Sequence, residues 1–238
     1  MARTRFIADT GLTVRMTTVL FLLGALFVAL VVGLMYTFQE YAVIIGLLGI
    51  GVAVFQWWNS DKMALRAMRA RVVTPEEAPE LHGMIDRLCA LADMPKPRVA
   101  IADTDLPNAF ATGRSPSRSA VCVTTGILRT LNAEELEAVL AHELSHVAHR
   151  DVTVMTLASF VGVLAGFLTR MALYSGMGNR RGNDNGPPIV LIITLVSVVV
   201  YALSFLLTRA LSRYRELAAD RAGAVLTGQP SALASALV

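Results

Sequence analysis

Four long apolar runs divide the chain, at Thr17–Gln39, Tyr41–Ser60, Val152–Thr169 and Gly186–Thr208. Each is close to the ~20 residues that a helix needs to cross the hydrocarbon of a bilayer. The pattern therefore predicts about four membrane-spanning helices. Arg3, Arg5 and Arg15 flank the start of the first run, as they would in a secretory signal. Signal cores are only about 7–15 residues long, and a second apolar run follows at once, so the first run is read as a retained span. The third run is the shortest, and Arg170 at its end can snorkel to the interface. Runs three and four also admit the alternative of a buried soluble hairpin.

Two polar segments, residues 61–151 and 209–238, alternate with the runs. In the first, Thr74-Pro75-Glu76-Glu77 predicts a helix start, with Thr74 as cap and Glu77 closing a capping box. Leu81, Met84, Ile85 and Leu88 then recur at helical spacing until Pro95 and Pro97. Val99 and Ile101 mark a strand. Asn108–Thr112 and Ala120–Thr124 mark two more, with Gly113–Ser117 as the turn between them. Asn132 and Glu135 open another helix, which carries Leu136, Val139, Leu140, Leu144 and Val147 on one broad face.

Composition sharpens this picture. Charged residues are 16% of the chain, against about 25% in soluble domains. Basic residues cluster at the N-terminus, after Ser60 and after Thr208, which places these regions on the cytoplasmic side. Arg180 and Arg181, in the loop between runs three and four, oppose that orientation mildly. Although the net charge is +3, the basic residues flank the apolar runs and the sequence shows no basic stretch with interleaved aromatics, which gives no case for a nucleic-acid partner. Two cysteines, Cys89 and Cys122, make no disulfide framework, and a reduced compartment is the simpler reading.

The chemistry lies in His142-Glu143-Leu144-Ser145-His146. Histidines four apart stand one above the other on a helix, so both imidazoles can reach one cation. Zinc fits such ligands, and Glu143 is placed to hold the metal's water rather than the metal. A third histidine ten positions after the first would complete one known zinc pattern, but that position is Val152. The remaining candidate is Glu216, the one glutamate after His146, within Arg213-Tyr214-Arg215-Glu216-Leu217-Ala218-Ala219-Asp220. Asp220 shares its helix face and can accept a hydrogen bond from a ligand imidazole. The alternative for both acids is surface charge paired with Arg213. His142, His146 and Glu216 can meet at one ion only after an even number of membrane crossings, and runs three and four supply two. His149, Arg213 and Tyr214 are candidates for oxyanion or substrate contacts, although His149 also suits a helix C-terminus. His82 reads as an exposed helix residue.

With HELSH at 142–146, SRYRELAAD at 212–220 and Asn108-Ala109-Phe110-Ala111 upstream, the chain resembles the HtpX-type membrane zinc metallopeptidases, relatives of the prenyl-protein (CAAX) peptidases. The resemblance covers essentially the whole chain. It implies a polytopic membrane protein, mainly α, with an α+β zincin-like cytoplasmic peptidase domain containing a small β-sheet. Residues 1–60 and 152–208 would be the membrane hairpins, and 61–151 and 209–238 the two parts of the peptidase domain. It further implies one zinc ion per chain, polypeptide substrates, and quality control of membrane proteins in a bacterial inner membrane. Asn108, Ala109, Phe110 and Ala111 would form the strand that pairs with substrate. The family runs on for about 50 residues more, a domain-size expectation that reads this chain as C-terminally truncated. Two other classes are weighed: an inactive zinc-binding scaffold, and a zinc transporter, whose ligands would lie within an apolar run.

Overall fold

The computed structural model describes residues 10–37, 42–151, 154–155, 158, 162, 165–166 and 187–236. Most of the third apolar run lies outside the described residues, so the count of four spans is carried forward as an expectation. Helices and strands with defined bounds among the described residues are α1 (Thr10–Thr37), α2 (Ala42–Ala67), β1 (Arg71–Val72), α3 (Pro79–Ala92), β2 (Arg98–Ala102), β3 (Ala109–Ser115), β4 (Arg118–Thr124), α4 (Thr125–Thr130), α5 (Ala133–Ala148), α6 (Pro187–Thr227) and α7 (Pro230–Ala236).

The chain divides into two compact units. One comprises residues 1–10, 56–154 and 214–238, the other 11–55 and 155–213. In the second unit, large apolar side chains such as Phe21, Phe205 and Leu206 face outward. Among the described residues, Thr194–Thr227 is long and apolar enough to cross a membrane, and Val14–Ala29 is a shorter apolar helix.

The first unit is built on a four-stranded sheet in the order β1-β2-β4-β3. The β2/β4 pair is parallel, and β1/β2 and β3/β4 are antiparallel. β4 is central and buried along nearly all its length, which explains its continuous apolar reading rather than an alternating one. Ile85 and Leu88 of α3 and Leu140 and Leu144 of α5 pack with Val99, Val121 and Val123 into one core. Burying each such side chain contributes about 1.5–3 kcal/mol. Ala100, Ala102, Ala120 and Cys122 on the other face pack with Leu65 of α2. Both cysteines are free and buried, and burial pushes each thiol up to about 11, away from reactivity.

Several expectations need correction. The helix expected at Thr74 starts at Pro79 instead. Proline disfavours helical geometry in the residue before it, and Ala78 accordingly takes φ −143°. Thr74 to Glu77 forms a turn in which Glu77 accepts the Thr74 amide at 2.8 Å. The β3–β4 turn is shorter than expected. Its two residues are Pro116 and Ser117, and the register shifts between Gly113 and Ser115. Gly113 sits at φ +134°, where a Cβ would lie 2.3 Å from the Arg118 carbonyl oxygen, so no other residue fits there. His82 is buried rather than exposed. Its Nε2 lies 3.1 Å from the Val73 carbonyl and ties α3 to the chain after β1. Neither β1 nor α4 carried a distinct sequence signal.

Candidate metal centre

α5 starts where its cap directs. Asn132 accepts the Glu134 and Glu135 amides at 3.0 Å each, and Glu135 accepts the Asn132 amide at 3.1 Å. That reciprocal pair satisfies donors that the first helical turn leaves open. Buried Leu136, Leu140, Leu144 and Val147 fix the helix on the sheet, and their rotational setting leaves His142, Glu143 and His146 half-buried at its side.

Glu216, Asp220 and Gly223 recur on one face of α6. Gly223 allows close approach to α5: a Cβ there would stand 3.0 Å from the His142 backbone nitrogen. Glu216 Oε2 consequently lies 3.4 Å from His142 Nε2 and 3.9 Å from His146 Nε2. The two Nε2 atoms are 3.2 Å apart. One atom from each of His142, His146 and Glu216 therefore falls within 4.8 Å of the others, a grouping that can hold a metal ion. Tetrahedral zinc with nitrogen and oxygen ligands at about 2.0–2.1 Å separates its ligand atoms by roughly 3.4 Å, so the donor set fits zinc in both chemistry and spacing.

The far side of each imidazole meets a carboxylate. Asp220 Oδ1 lies 2.9 Å from His142 Nδ1, and Asp151 Oδ2 lies 2.5 Å from His146 Nδ1. Burial, reinforced by the neighbouring His146, lowers the pKa of His142 and favours its neutral form. Sequence reading missed Asp151. It arrives there because α5 ends through His149 and then Arg150, at φ 58°, a left-handed turn that closes a helix end. Arg215, also missed, puts Nη2 2.6 Å from Asp151 Oδ1, with both side chains buried.

Glu143 projects toward the sheet edge. Its Oε2 accepts the Ala111 amide of β3 at 2.9 Å, and burial pushes its carboxyl up to about 7. β3 is the outer strand on that side. Ala109, Phe110 and Ala111 lie in it, and Asn108 immediately precedes it, with its carbonyl accepting the Thr124 amide at 3.0 Å. His149 caps α5, its Nδ1 donating to the Ser145 carbonyl at 2.8 Å. Arg213 is exposed and Tyr214 half-buried on α6.

The family model described as peptidase family M48 matches residues 75–238, which include every residue of this cluster. The chain belongs to peptidase family M48. The sequence is 57% identical over 235 residues to Protease HtpX homolog 1 of Streptomyces coelicolor, covering 99% of this chain and 77% of that protein. It is 51% identical over 231 residues to Protease HtpX homolog 2 of Methanosarcina mazei (97% and 78% covered). Protease HtpX homolog of Pyrococcus furiosus is 42% identical over 223 residues (91% and 76% covered). This M48 member is thus a metallopeptidase, and the expected resemblance to HtpX-type enzymes holds. The crystal structure of S. mikatae Ste24p is similar in fold, with a TM-score of 0.53 at 16% identity. The match covers 96% of this chain and 58% of that one, so the chain spans under two thirds of that protein's length.

Proposed function

We propose that this M48 peptidase is a membrane-bound, zinc-dependent endopeptidase that cleaves membrane or cytoplasmic polypeptides, misfolded ones included. The carrying observation is the convergence of His142 Nε2, His146 Nε2 and Glu216 Oε2, with Glu143 beside them. His142, His146 and Glu216 would hold one zinc ion per chain. Zinc, when bound, polarises the scissile carbonyl and makes a water acidic near neutral pH. Glu143 takes the proton from the attacking water and delivers it to the leaving nitrogen. Asp220 and Asp151 hold the Nδ1 protons of the two histidines, which leaves each Nε2 lone pair available to a metal. The outer edge of β3 from Asn108 to Ala111 pairs with an extended substrate backbone. The Ala111–Glu143 hydrogen bond supports this reading, since it ties that edge to the base. His149, Arg213 and Tyr214 are the candidates for contact with the oxyanion or substrate.

The apolar runs and the outward-facing apolar residues of the second unit support membrane anchoring. The basic flanks support a cytoplasmic active site in a bacterial inner membrane. Elemental analysis of purified full chain tests the ligand set. About one zinc per chain is expected, with most of it lost on His142→Ala or Glu216→Ala. Full zinc retention in both variants would overturn the assignment.

A further inference from the structure

A cavity of about 240 Å³ lies within the first unit. Lys62, Lys96, Arg98, Arg114 and Arg118 line it, with Asp61 as the one carboxylate. Three of the cations are held in place. Arg98 pairs with Asp61 at 2.5 Å, and Lys96 pairs with Asp86 at 2.8 Å. The Arg114 guanidinium lies 3.6 Å from the centre of the Trp58 ring, and its Nη1 donates to the Trp58 carbonyl at 3.3 Å. The irregularity between Gly113 and Ser115 falls at Arg114, and such bulges re-aim side chains. Lys62 and Arg118 are exposed and form no ion pair among the described residues. An ordinary solvated face would intersperse acids among these bases. Here five cations gather around a concavity whose lining holds one carboxylate, Asp61, while Asp86 engages Lys96 from outside the lining.

We propose that this cavity binds the phosphate of an anionic phospholipid headgroup. The fixed guanidinium forks of Arg98 and Arg114, with the Lys62 ammonium and the Arg118 guanidinium that form no ion pair among the described residues, suit phosphate oxygens. The location favours a lipid source. Lys62 follows directly on the apolar run that ends at Ser60, and Trp57 and Trp58 close that run, as aromatic residues do at the level of lipid headgroups. A zwitterionic headgroup brings a cation that the cluster repels. The proposal goes beyond the peptidase reading and rests on the membrane reading only for the source of the phosphate.

The chain has two tryptophans, Trp57 and Trp58, so fluorescence excited selectively at tryptophan, beyond tyrosine absorption, reports on this place. Full chain in uncharged detergent would be titrated with short-chain phosphatidylglycerol, short-chain phosphatidylcholine and inorganic phosphate. Saturable binding of phosphatidylglycerol, at least tenfold tighter than phosphatidylcholine and weakened at least tenfold in Lys62→Gln/Arg118→Gln, is the expected result. Amine labelling of wild-type Lys62 and Lys96, protected by phosphatidylglycerol, keeps the test valid should the double variant fold poorly. Binding of inorganic phosphate at least as tight as that of phosphatidylglycerol would overturn the lipid source. Equal binding of both lipids, or no protection of the lysines, would overturn the site. Zinc content and peptidase activity do not enter these readouts, so this proposal and the metal assignment fail separately.

Discussion

Asp151 and Arg215 form an ion pair at 2.6 Å, with both side chains more than nine-tenths buried, directly behind His146. One carboxylate thus joins α6, the helix that carries Glu216, to an imidazole on α5.

Asp151→Ala removes the partner of both groups. Loss of a carboxylate behind a ligand histidine costs about 10–100-fold in metal affinity. Leaving Arg215 buried without its partner costs about 3–5 kcal/mol. Chelator competition and chemical denaturation measure the two separately. Asp151→Leu with Arg215→Met should recover most of the stability and little of the affinity, because apolar packing replaces the pair but cannot orient His146. Zinc affinity restored together with stability would remove Asp151 from the metal centre.

Gly223→Val tests the approach of α6 to α5. A side chain there meets the His142 backbone rather than a flexible tip, so the helices must separate. About 1–3 kcal/mol of destabilisation is expected. Zinc affinity should fall further than in an exposed control such as Arg221→Ala, since Glu216 moves with the helix. Equal zinc affinities in the two variants would count against this geometry.

Asn132→Ala removes both bonds that the Asn132 side chain makes to the start of α5. About 1 kcal/mol of stability should be lost, seen as a lower denaturation midpoint. Zinc stoichiometry should stay at one, because the proposed ligands His142 and His146 lie a few turns away. Loss of zinc at full stability would contradict this separation.

How much was legible in the sequence follows from what each feature depends on. His142, Glu143 and His146 were readable because a helix fixes the relation between residues four apart. Glu216 and Asp220 were readable for the same reason, once no other glutamate remained downstream. Asp151 escaped because its place depends on a positive φ at Arg150, a bulky residue that carries no turn signature. Arg215 escaped because its burial depends on Asp151. His82 looked exposed because its partner, the Val73 carbonyl, belongs to an extended segment just after β1, whose two residues are too few for any periodicity. The start of α3 was misplaced because two prolines, Pro75 and Pro79, both fit a first helical position, and the turn at Thr74 used the capping residues for itself.

Glu143 is proposed as the base and not as a ligand. The most direct measurement is the hydrolysis rate of a peptide substrate by zinc-loaded Glu143→Gln, with zinc content assayed on the same sample. The amide can hydrogen-bond water but cannot take its proton. One zinc per chain and a rate lower by about 10²–10⁴ are therefore expected. Hydrolysis near the wild-type rate at full zinc occupancy would contradict it.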